Sequence, residues 1–316
     1  MITELTEEMK AQIPVYIEKQ VAISMDTREA DWVEGERIVR RLLEVAKVQL
    51  DPKFRVIKCR NPILAAQAGN ILKKRYDGSD DNKNFLFQAA TYGGLSARNN
   101  FFVEVVGVKL PPDLEENRCL IRDFVATLGG VYFHSAFSIM YDRPAVLKIR
   151  QENGTGILHC EDGPAIAWGR DETGQYDPND KYGYKMYFWQ GTRVPEKWIE
   201  NKPNPDDADA MRARAIEVLK TENQEQLRAG CEILGWVPVL ESLGMKVLNE
   251  DPNPAFGKLV SVNLPGAEDS RFIVAQCGTG RLVAVPASSE AKTAVEAGAM
   301  SYGVPVAIYR KMKVRT

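Results

Sequence analysis

Histidine and paired cysteine are scarce in this 316-residue chain. It contains two histidines, His134 and His159, and no H-x-x-x-H or H-E-x-x-H pattern. A metal site would therefore need the fold to join both histidines with a carboxylate, and we expect none. The five cysteines are scattered, with no C-x-x-C pair. An odd, dispersed set predicts reduced thiols and argues against a disulfide framework or a zinc knuckle.

Long apolar runs and a strong net charge are also missing. No stretch approaches the roughly 18–20 apolar residues that span a bilayer, and the acidic, polar start over residues 1–8 is unlike a signal peptide. The formal charge is −2, from 41 basic and 43 acidic residues. This balance gives no support for a nucleic-acid or membrane partner. We expect a soluble cytoplasmic protein whose partner is a protein or a small ligand, with its oligomeric state left open.

The pattern of apolar residues predicts an α+β protein in three regions. Residues 1–130 are expected to be helix-rich, 131–200 to form an antiparallel β-meander, and 201–316 to form a further α+β region. The strand expected at 54–59 runs into Asn61-Pro62, and this is the only junction that suggests a parallel α/β-type turn. Residues 85–110 fit both helix and strand. Other expected elements are helices at 4–20, 31–50, 61–76, 111–128, 207–221, 223–234 and 288–298, and strands at 131–141, 145–150, 164–168, 184–190, 258–264, 270–276 and 281–285.

The most chemically dense stretch is Leu158-His159-Cys160-Glu161-Asp162-Gly163-Pro164-Ala165. Because alternate side chains of a strand share a face, His159 and Glu161 are expected on one side and Cys160 and Asp162 on the other. A His/Glu pair can do general acid–base work, which makes His159, Glu161 and Asp162 the catalytic candidates. The same residues also favour a structural hairpin turn at Asp162-Gly163. Further turns are expected at Asn153-Gly154, Gln190-Gly191 and 278–280.

Several other patterns have both a functional and a structural interpretation. Cys59 precedes a helix start and Cys160 follows a histidine, so either is a candidate nucleophile, although buried inert cysteine is the commoner outcome. The glycine-containing stretches 92–100 and 278–281 match no phosphate-binding motif. The aromatic residues between 168 and 198, which include Trp189, fit a stacking platform or the core of a small sheet.

Three stretches together resemble an uncharacterised domain family of actinobacterial, cyanobacterial and phage-related proteins, known only as a domain of unknown function. The similarity covers residues 140–303 and is looser at 57–62. It implies no established activity, but it joins the motifs into one unit and suggests a phage or mobile-element association. The stretches are Tyr141-Asp142-Arg143-Pro144 with the 158–165 motif, Tyr187-Phe188-Trp189-Gln190-Gly191-Thr192-Arg193-Val194-Pro195, and residues 221–236.

The chain departs from this family pattern at Gln190, where the family usually has the histidine of a W-H-G turn, and this favours a structural or binding role over catalysis. We therefore expect a binding or scaffolding protein, with Arg143, His134, Trp189 and Arg193 as ligand-binding candidates. One alternative is a hydrolase or transferase that uses His159 and Glu161 as an acid–base pair and Arg143 for an anionic substrate. Another is an oligomeric structural protein with a large exposed apolar patch. The sequence indicates no particular cofactor.

Overall fold

The computed structural model describes residues 4–77, 85–152, 155–264, 266–276 and 282–312. The chain divides into two compact units, each built from two separate segments. Unit 1 comprises Met1–Ile149 and Pro164–Met186, and unit 2 comprises Arg150–Gly163 and Tyr187–Thr316. The expected α+β class is confirmed, but the expected regions 1–130, 131–200 and 201–316 do not coincide with these units, because residues 131–149 fold with the N-terminal helices.

Unit 1 contains a four-stranded sheet between helices. The strand order is β1-β4-β3-β2, in which β1 is parallel to β4 and the other pairs are antiparallel. The parallel pair and the proline that opens α3 match the α/β-type junction expected from the sequence. The elements are α1 Glu7–Ser24, α2 Trp32–Val45, β1 Arg55–Cys59, α3 Pro62–Asp77, β2 Phe85–Gln88, α4 Ala89–Glu104, α5 Pro112–Thr127, β3 Gly130–Phe133 and β4 Phe137–Tyr141.

Strand β4 is the centre of this unit, and all five of its residues are buried. Ile139 packs against α3 together with Phe137. Met140 points to the opposite side, into a larger core with Ile38 of α2 and Phe124 of α5. Because strand side chains alternate between faces, a strand covered on both sides is mostly apolar, and Ser138 is the polar exception in β4.

The remainder of unit 1 is a small antiparallel group. β5 pairs with β8, and β8 pairs with the first half of β9. The connection from β8 to β9 is mostly loop, with one bridge between Arg170 and Tyr176. The strands are β5 Val146–Leu147, β8 Ile166–Trp168 and β9 Tyr184–Trp189, and β9 ends in unit 2.

Unit 2 has two hydrophobic centres. The first packs Tyr187 and Val194 against Trp198 and the helices that follow. The second is a four-stranded antiparallel sheet, in the order β11-β12-β13-β14, whose two faces pack against α9 and α10. The elements are β6 Ile149–Glu152, β7 Thr155–Leu158, β10 Thr192–Val194, α6 Glu196–Ile199, α7 Ala208–Leu219, α8 Gln224–Leu234, α9 Trp236–Ser242, β11 Lys246–Glu250, a 3-10 turn Pro254–Phe256, β12 Lys258–Leu264, β13 Ala267–Gln276, β14 Leu282–Ala287, α10 Ala294–Ser301 and α11 Val306–Tyr309.

Residues 92–100, which match no phosphate-binding motif, lie within α4. Three sequence-based expectations are corrected by the structure. The strand expected over 131–141 is two strands, β3 and β4, separated by a turn at residues 134–136. Helix α10 begins later than expected, because Thr293 and Glu296 form its capping box. Asp162-Gly163 does not close a hairpin, because β7 pairs with β6 whereas β8 pairs with β5 and β9. The turns expected at 153–154 and 278–280 lie outside the described residues.

Candidate functional site

The turn between β9 and β10 is the feature from which the candidate site is built. Trp189 and Thr192 pair directly, so the loop contains only Gln190 and Gly191. Both have positive φ, 45° and 82°, which is the geometry of a two-residue type I′ turn. Glycine adopts this conformation freely, whereas a residue with a long side chain such as glutamine adopts it at an energetic cost.

His159 and the residue before it bind the backbone of this turn. The amide of Gly191 donates to the carbonyl of Leu158 at 2.9 Å, and the amide of Gln190 donates to Nδ1 of His159 at 3.1 Å. The amide of Cys160 also donates to the carbonyl of Phe188 at 3.2 Å. The motif at 158–165 therefore runs beside the end of β9 and holds its turn; we call the pair Leu158 and His159 the turn clamp.

The clamp determines which atoms of His159 stay available for chemistry. Nδ1 accepts a hydrogen bond, so the ring proton of neutral His159 is on Nε2. Nε2 lies 3.5 Å from Oε1 of Glu161 but is buried without a hydrogen-bond partner. The His159 side chain is 9% exposed and that of Glu161 is 73% exposed. The alternation of the chain does bring these two side chains together, as a loose contact at the protein surface.

Trp189 packs against the same imidazole. The two rings meet edge to face, with centroids 4.8 Å apart and an interplanar angle of 75°. The indole Nε1–H donates to Oε2 of Glu232 at 2.9 Å. Lys202 lies over the indole ring at 5.8 Å and donates to the carbonyl of Glu161 at 2.7 Å. Lys202 and Glu232 were missed at the sequence level, because only the tertiary fold brings them to the motif.

The other motif residues beside the clamp are more exposed. The Cys160 thiol donates to Oδ1 of Asp162 at 3.2 Å, so the carboxylate of Asp162 bonds a side chain and not the turn backbone that its sequence suggests. Arg193 is exposed on β10, and its carbonyl accepts a hydrogen bond from the side chain of Gln226 at 2.9 Å. Glu161, Asp162 and Arg193 thus form an exposed charged set around a rigid turn.

Arg143 lies in unit 1, where its guanidinium binds backbone carbonyls. It donates to Ile23 at 2.5 Å, Asp26 at 2.8 Å and Ala126 at 2.6 Å. Ile23 and Ala126 belong to the last turns of α1 and α5, whose carbonyls have no partner within the helix. Burial lowers the pKa of this guanidinium, and the negative ends of two helices favour its charge. Arg143 therefore joins the C-terminal ends of two helices.

Asp142, next to Arg143, is the centre of a second buried joint. Oδ1 accepts hydrogen bonds from the amides of Ala30 at 2.8 Å and Arg143 at 2.7 Å, and Oδ2 accepts one from Nε of Arg170 at 2.9 Å. The Trp168 indole donates to the Asp142 carbonyl at 3.0 Å. Burial raises the pKa of the Asp142 carboxyl. The Tyr-Asp-Arg-Pro motif thus connects the loop after α1 to the loop after β8.

A small cavity of about 180 Å³ lies beside this joint in unit 1. Asp26 forms part of its wall, and the hydrogen bond from Arg28 lowers the pKa of the Asp26 carboxyl. The guanidinium of Arg143, also in the wall, is already bonded to carbonyls. The full lining is Asp26, Arg28, Glu29, Asp31, Ala126, Thr127 and Arg143.

The second histidine has a similar backbone role. Nδ1 of His134 accepts the amide of Ala136 at 3.0 Å, which shapes the turn between β3 and β4. Its ring stacks on Phe137, with centroids 4.4 Å apart and planes 10° apart. His134 and Arg143 belong to unit 1, whereas His159, Glu161, Asp162, Trp189 and Arg193 belong to unit 2.

The other chemical possibilities raised by the sequence receive little support. Within the described ranges, no three His, Cys, Asp or Glu side chains are grouped as a metal site. Burial raises the pKa of the Cys59 thiol, which disfavours the thiolate that a nucleophile needs. No helix in the described part of the chain is both long and apolar enough to cross a membrane.

Comparison with protein-family models, with curated proteins and with solved structures found no match to this chain.

Proposed function

We propose that this chain is a binding or scaffolding protein that holds a protein or small ligand at the surface around its turn clamp. The observation that carries this proposal is the double hydrogen bond from Gln190 and Gly191 to His159 and Leu158. It fixes the positions from which Trp189 and Arg193 are presented. A surface ordered before binding loses less conformational entropy when a ligand arrives.

The charges around the clamp support the same role. Glu161, Asp162, Arg193 and Lys202 are all exposed, and Lys202 lies beside the motif because it donates to the carbonyl of Glu161. Such mixed exposed charges favour a selective polar contact with a partner. The Nδ1 atom of His159 accepts a hydrogen bond from the Gln190 amide, so the imidazole contributes to this surface by holding the turn in place.

The test is co-purification of the full chain from its native host, followed by mass spectrometry of bound proteins and metabolites. The wild type is compared with a Glu161→Lys, Arg193→Glu double variant. The control is Glu222→Lys, a charge reversal at an exposed residue just before α8 and outside the clamp. We expect one enriched species that the double variant loses and the Glu222→Lys control keeps. A ligand-free wild type, or the same recovery from all three proteins, contradicts the proposal.

A hydrolase or transferase is the second candidate, and one observation favours it. Nε2 of His159 is buried, has no hydrogen bond, and lies 3.5 Å from Glu161, which leaves one ring nitrogen for proton transfer. In this alternative Arg143 binds the anionic substrate. Its guanidinium, however, already donates hydrogen bonds to three backbone carbonyls.

This second candidate is tested by turnover of a panel of phosphate esters, carboxylic esters and peptides. His159→Asn retains an acceptor for the Gln190 amide but removes the second ring nitrogen. Loss of a wild-type activity in His159→Asn and in Glu161→Gln, assayed at a temperature at which both variants are fully folded, supports catalysis. Turnover that survives both substitutions, or no turnover by the wild type, rejects it.

A further inference from the structure

The hydrogen bond between Gln190 and His159 requires one charge state of the imidazole. Nδ1 of His159 accepts the Gln190 amide at 3.1 Å, and only a ring nitrogen without a proton can accept a hydrogen bond. The neutral ring therefore carries its proton on Nε2. A second proton must go to Nδ1, where it turns the acceptor into a donor that faces the N–H of Gln190. The imidazolium form of His159 cannot make this bond.

The surroundings of the ring offer the imidazolium little compensation. The His159 side chain is 9% exposed, and Nε2 is buried without a hydrogen-bond partner. Oε1 of Glu161 lies 3.5 Å from Nε2, but this side chain is 73% exposed, and an ion pair with an exposed carboxylate stabilises a cation only weakly. A cation taken out of water and an amide left without its acceptor cost more. Protonation of the ring and closure of the clamp therefore oppose each other.

The charged groups around the ring come from its own segment, from β10, from the loop after α6 and from α8. Lys202 of the loop lies over the Trp189 ring at 5.8 Å, and Glu232 of α8 accepts the Trp189 indole N–H at 2.9 Å. The full set of titratable or charged side chains is Cys160, Glu161, Asp162, Arg193, Lys202, Arg228 and Glu232. Among these side-chain types and histidine, only histidine ordinarily changes its charge between about pH 5 and 7.5. A change in this pH range therefore reports His159.

We propose that the turn clamp is a pH switch, closed while His159 is neutral and opened at Gln190 when the imidazole gains a second proton. Gln190 is held at a φ of 45°, which costs energy for a glutamine, so the turn can relax once its amide is released. The amides of Gly191 and Cys160 donate to backbone carbonyls, which do not titrate, so the change stays local. The switch rests on the proposed function only for its consequence, a binding surface that is ordered at neutral pH and loosened in mild acid.

The test follows the full chain by NMR between pH 7.5 and 5 without any ligand, so it can succeed or fail independently of the proposed function. The ring nitrogen signals of His159 report its charge and tautomer. The chain has only one other histidine, His134, so His159→Asn assigns these signals. Hydrogen exchange of the Gln190 amide, expressed as protection relative to an unstructured amide at the same pH, reports the clamp. Val239 is the control amide, because it donates to the backbone carbonyl of Gly235 within unit 2.

We expect a neutral His159 ring with its proton on Nε2 at pH 7.5, and a fall of about tenfold in Gln190 protection as the ring gains its second proton. In His159→Asn, whose acceptor does not titrate, Gln190 protection should stay constant, and so should Val239 protection in every protein. Glu161→Gln should move the ring titration and the loss of protection to lower pH together, because it removes the carboxylate 3.5 Å from Nε2.

A ring that gains its second proton while Gln190 protection stays constant overturns the proposal. So does a ring that stays neutral down to pH 5, or one that carries its proton on Nδ1 at pH 7.5. An equal loss of protection in His159→Asn, or at Val239 in the wild type, assigns the change to other groups and also overturns it. The same holds if Glu161→Gln separates the ring titration from the loss of protection.

Discussion

Removing the acceptor atom of the turn clamp gives the sharpest prediction. His159→Phe keeps a flat ring against Trp189 but removes Nδ1, which accepts the Gln190 amide at 3.1 Å. His159→Asn is the matched variant, because its side-chain oxygen occupies a position close to that of Nδ1 while the ring is lost. The two variants therefore separate the hydrogen bond from the ring packing.

The size of the effect follows from what the amide loses. A buried donor without a partner costs about 1–3 kcal/mol, and Gln190 is only half-buried, so the lower part of this range applies. We expect His159→Phe to reduce the free energy of unfolding by roughly 1–2 kcal/mol. For a unit of this size that lowers the melting temperature by roughly 2–8 °C. His159→Asn instead loses the edge-to-face contact with Trp189, worth about 0.5–1.5 kcal/mol.

Because the two global losses are similar, the decisive assay is local. Amide hydrogen exchange at Gln190, followed by NMR, should be about 5–30-fold faster in His159→Phe than in the wild type. In His159→Asn the same amide should stay close to wild-type protection. If Gln190 exchanges equally in His159→Phe and in the wild type, the clamp does not stabilise the turn and the reasoning fails.

Three further results are expected. Gln190→Asn should raise the free energy of urea unfolding by about 0.5 kcal/mol, because asparagine tolerates the observed φ of 45° better; a loss of stability would contradict this. Arg143→Lys should lower the free energy of urea unfolding by roughly 2–3 kcal/mol, since one ammonium cannot replace the guanidinium at two helix ends. Equal stability of variant and wild type would show that Arg143 does not hold the two helix ends together. Burial and the Glu104 hydrogen bond raise the pKa of Tyr16 from 10.0 to about 12. The raised pKa stabilises the fold fully below pH 10 and this contribution is lost as pH rises through 12, so the wild type should lose more stability than Tyr16→Phe between pH 9 and 11; identical pH profiles would argue against it.

Local patterns in the sequence predicted the elements that local interactions determine. Asp31 caps α2, since its carboxylate accepts the amides of Val33 and Glu34. The proline that opens α3 is confirmed, and so is the turn at Gln190-Gly191. Caps and two-residue turns depend on side chains within a few positions, and the sequence displays those directly.

The partners of the candidate site residues were less predictable. Arg143 looked like an anion-binding residue, but the structure joins it to carbonyls more than a hundred positions away, at Ile23 and Asp26. The sequence shows an arginine in the same way whether its side chain binds a ligand or hydrogen-bonds the C-terminal ends of two helices. Its role depends on where the chain places those ends, and no local pattern encodes that.

The sequence by itself determined where most helices and strands form and where the Gln190–Gly191 turn lies, because propensity, capping and alternation act over a few residues. Alternation along the 158–165 motif also placed His159 and Glu161 on one side, and their atoms do approach to 3.5 Å. Only the tertiary structure decided that His159 supports the Gln190–Gly191 turn and does so beside Lys202. These contacts join residues about 30–40 positions apart, and such contacts form only when the packing of whole elements has fixed the distances between them.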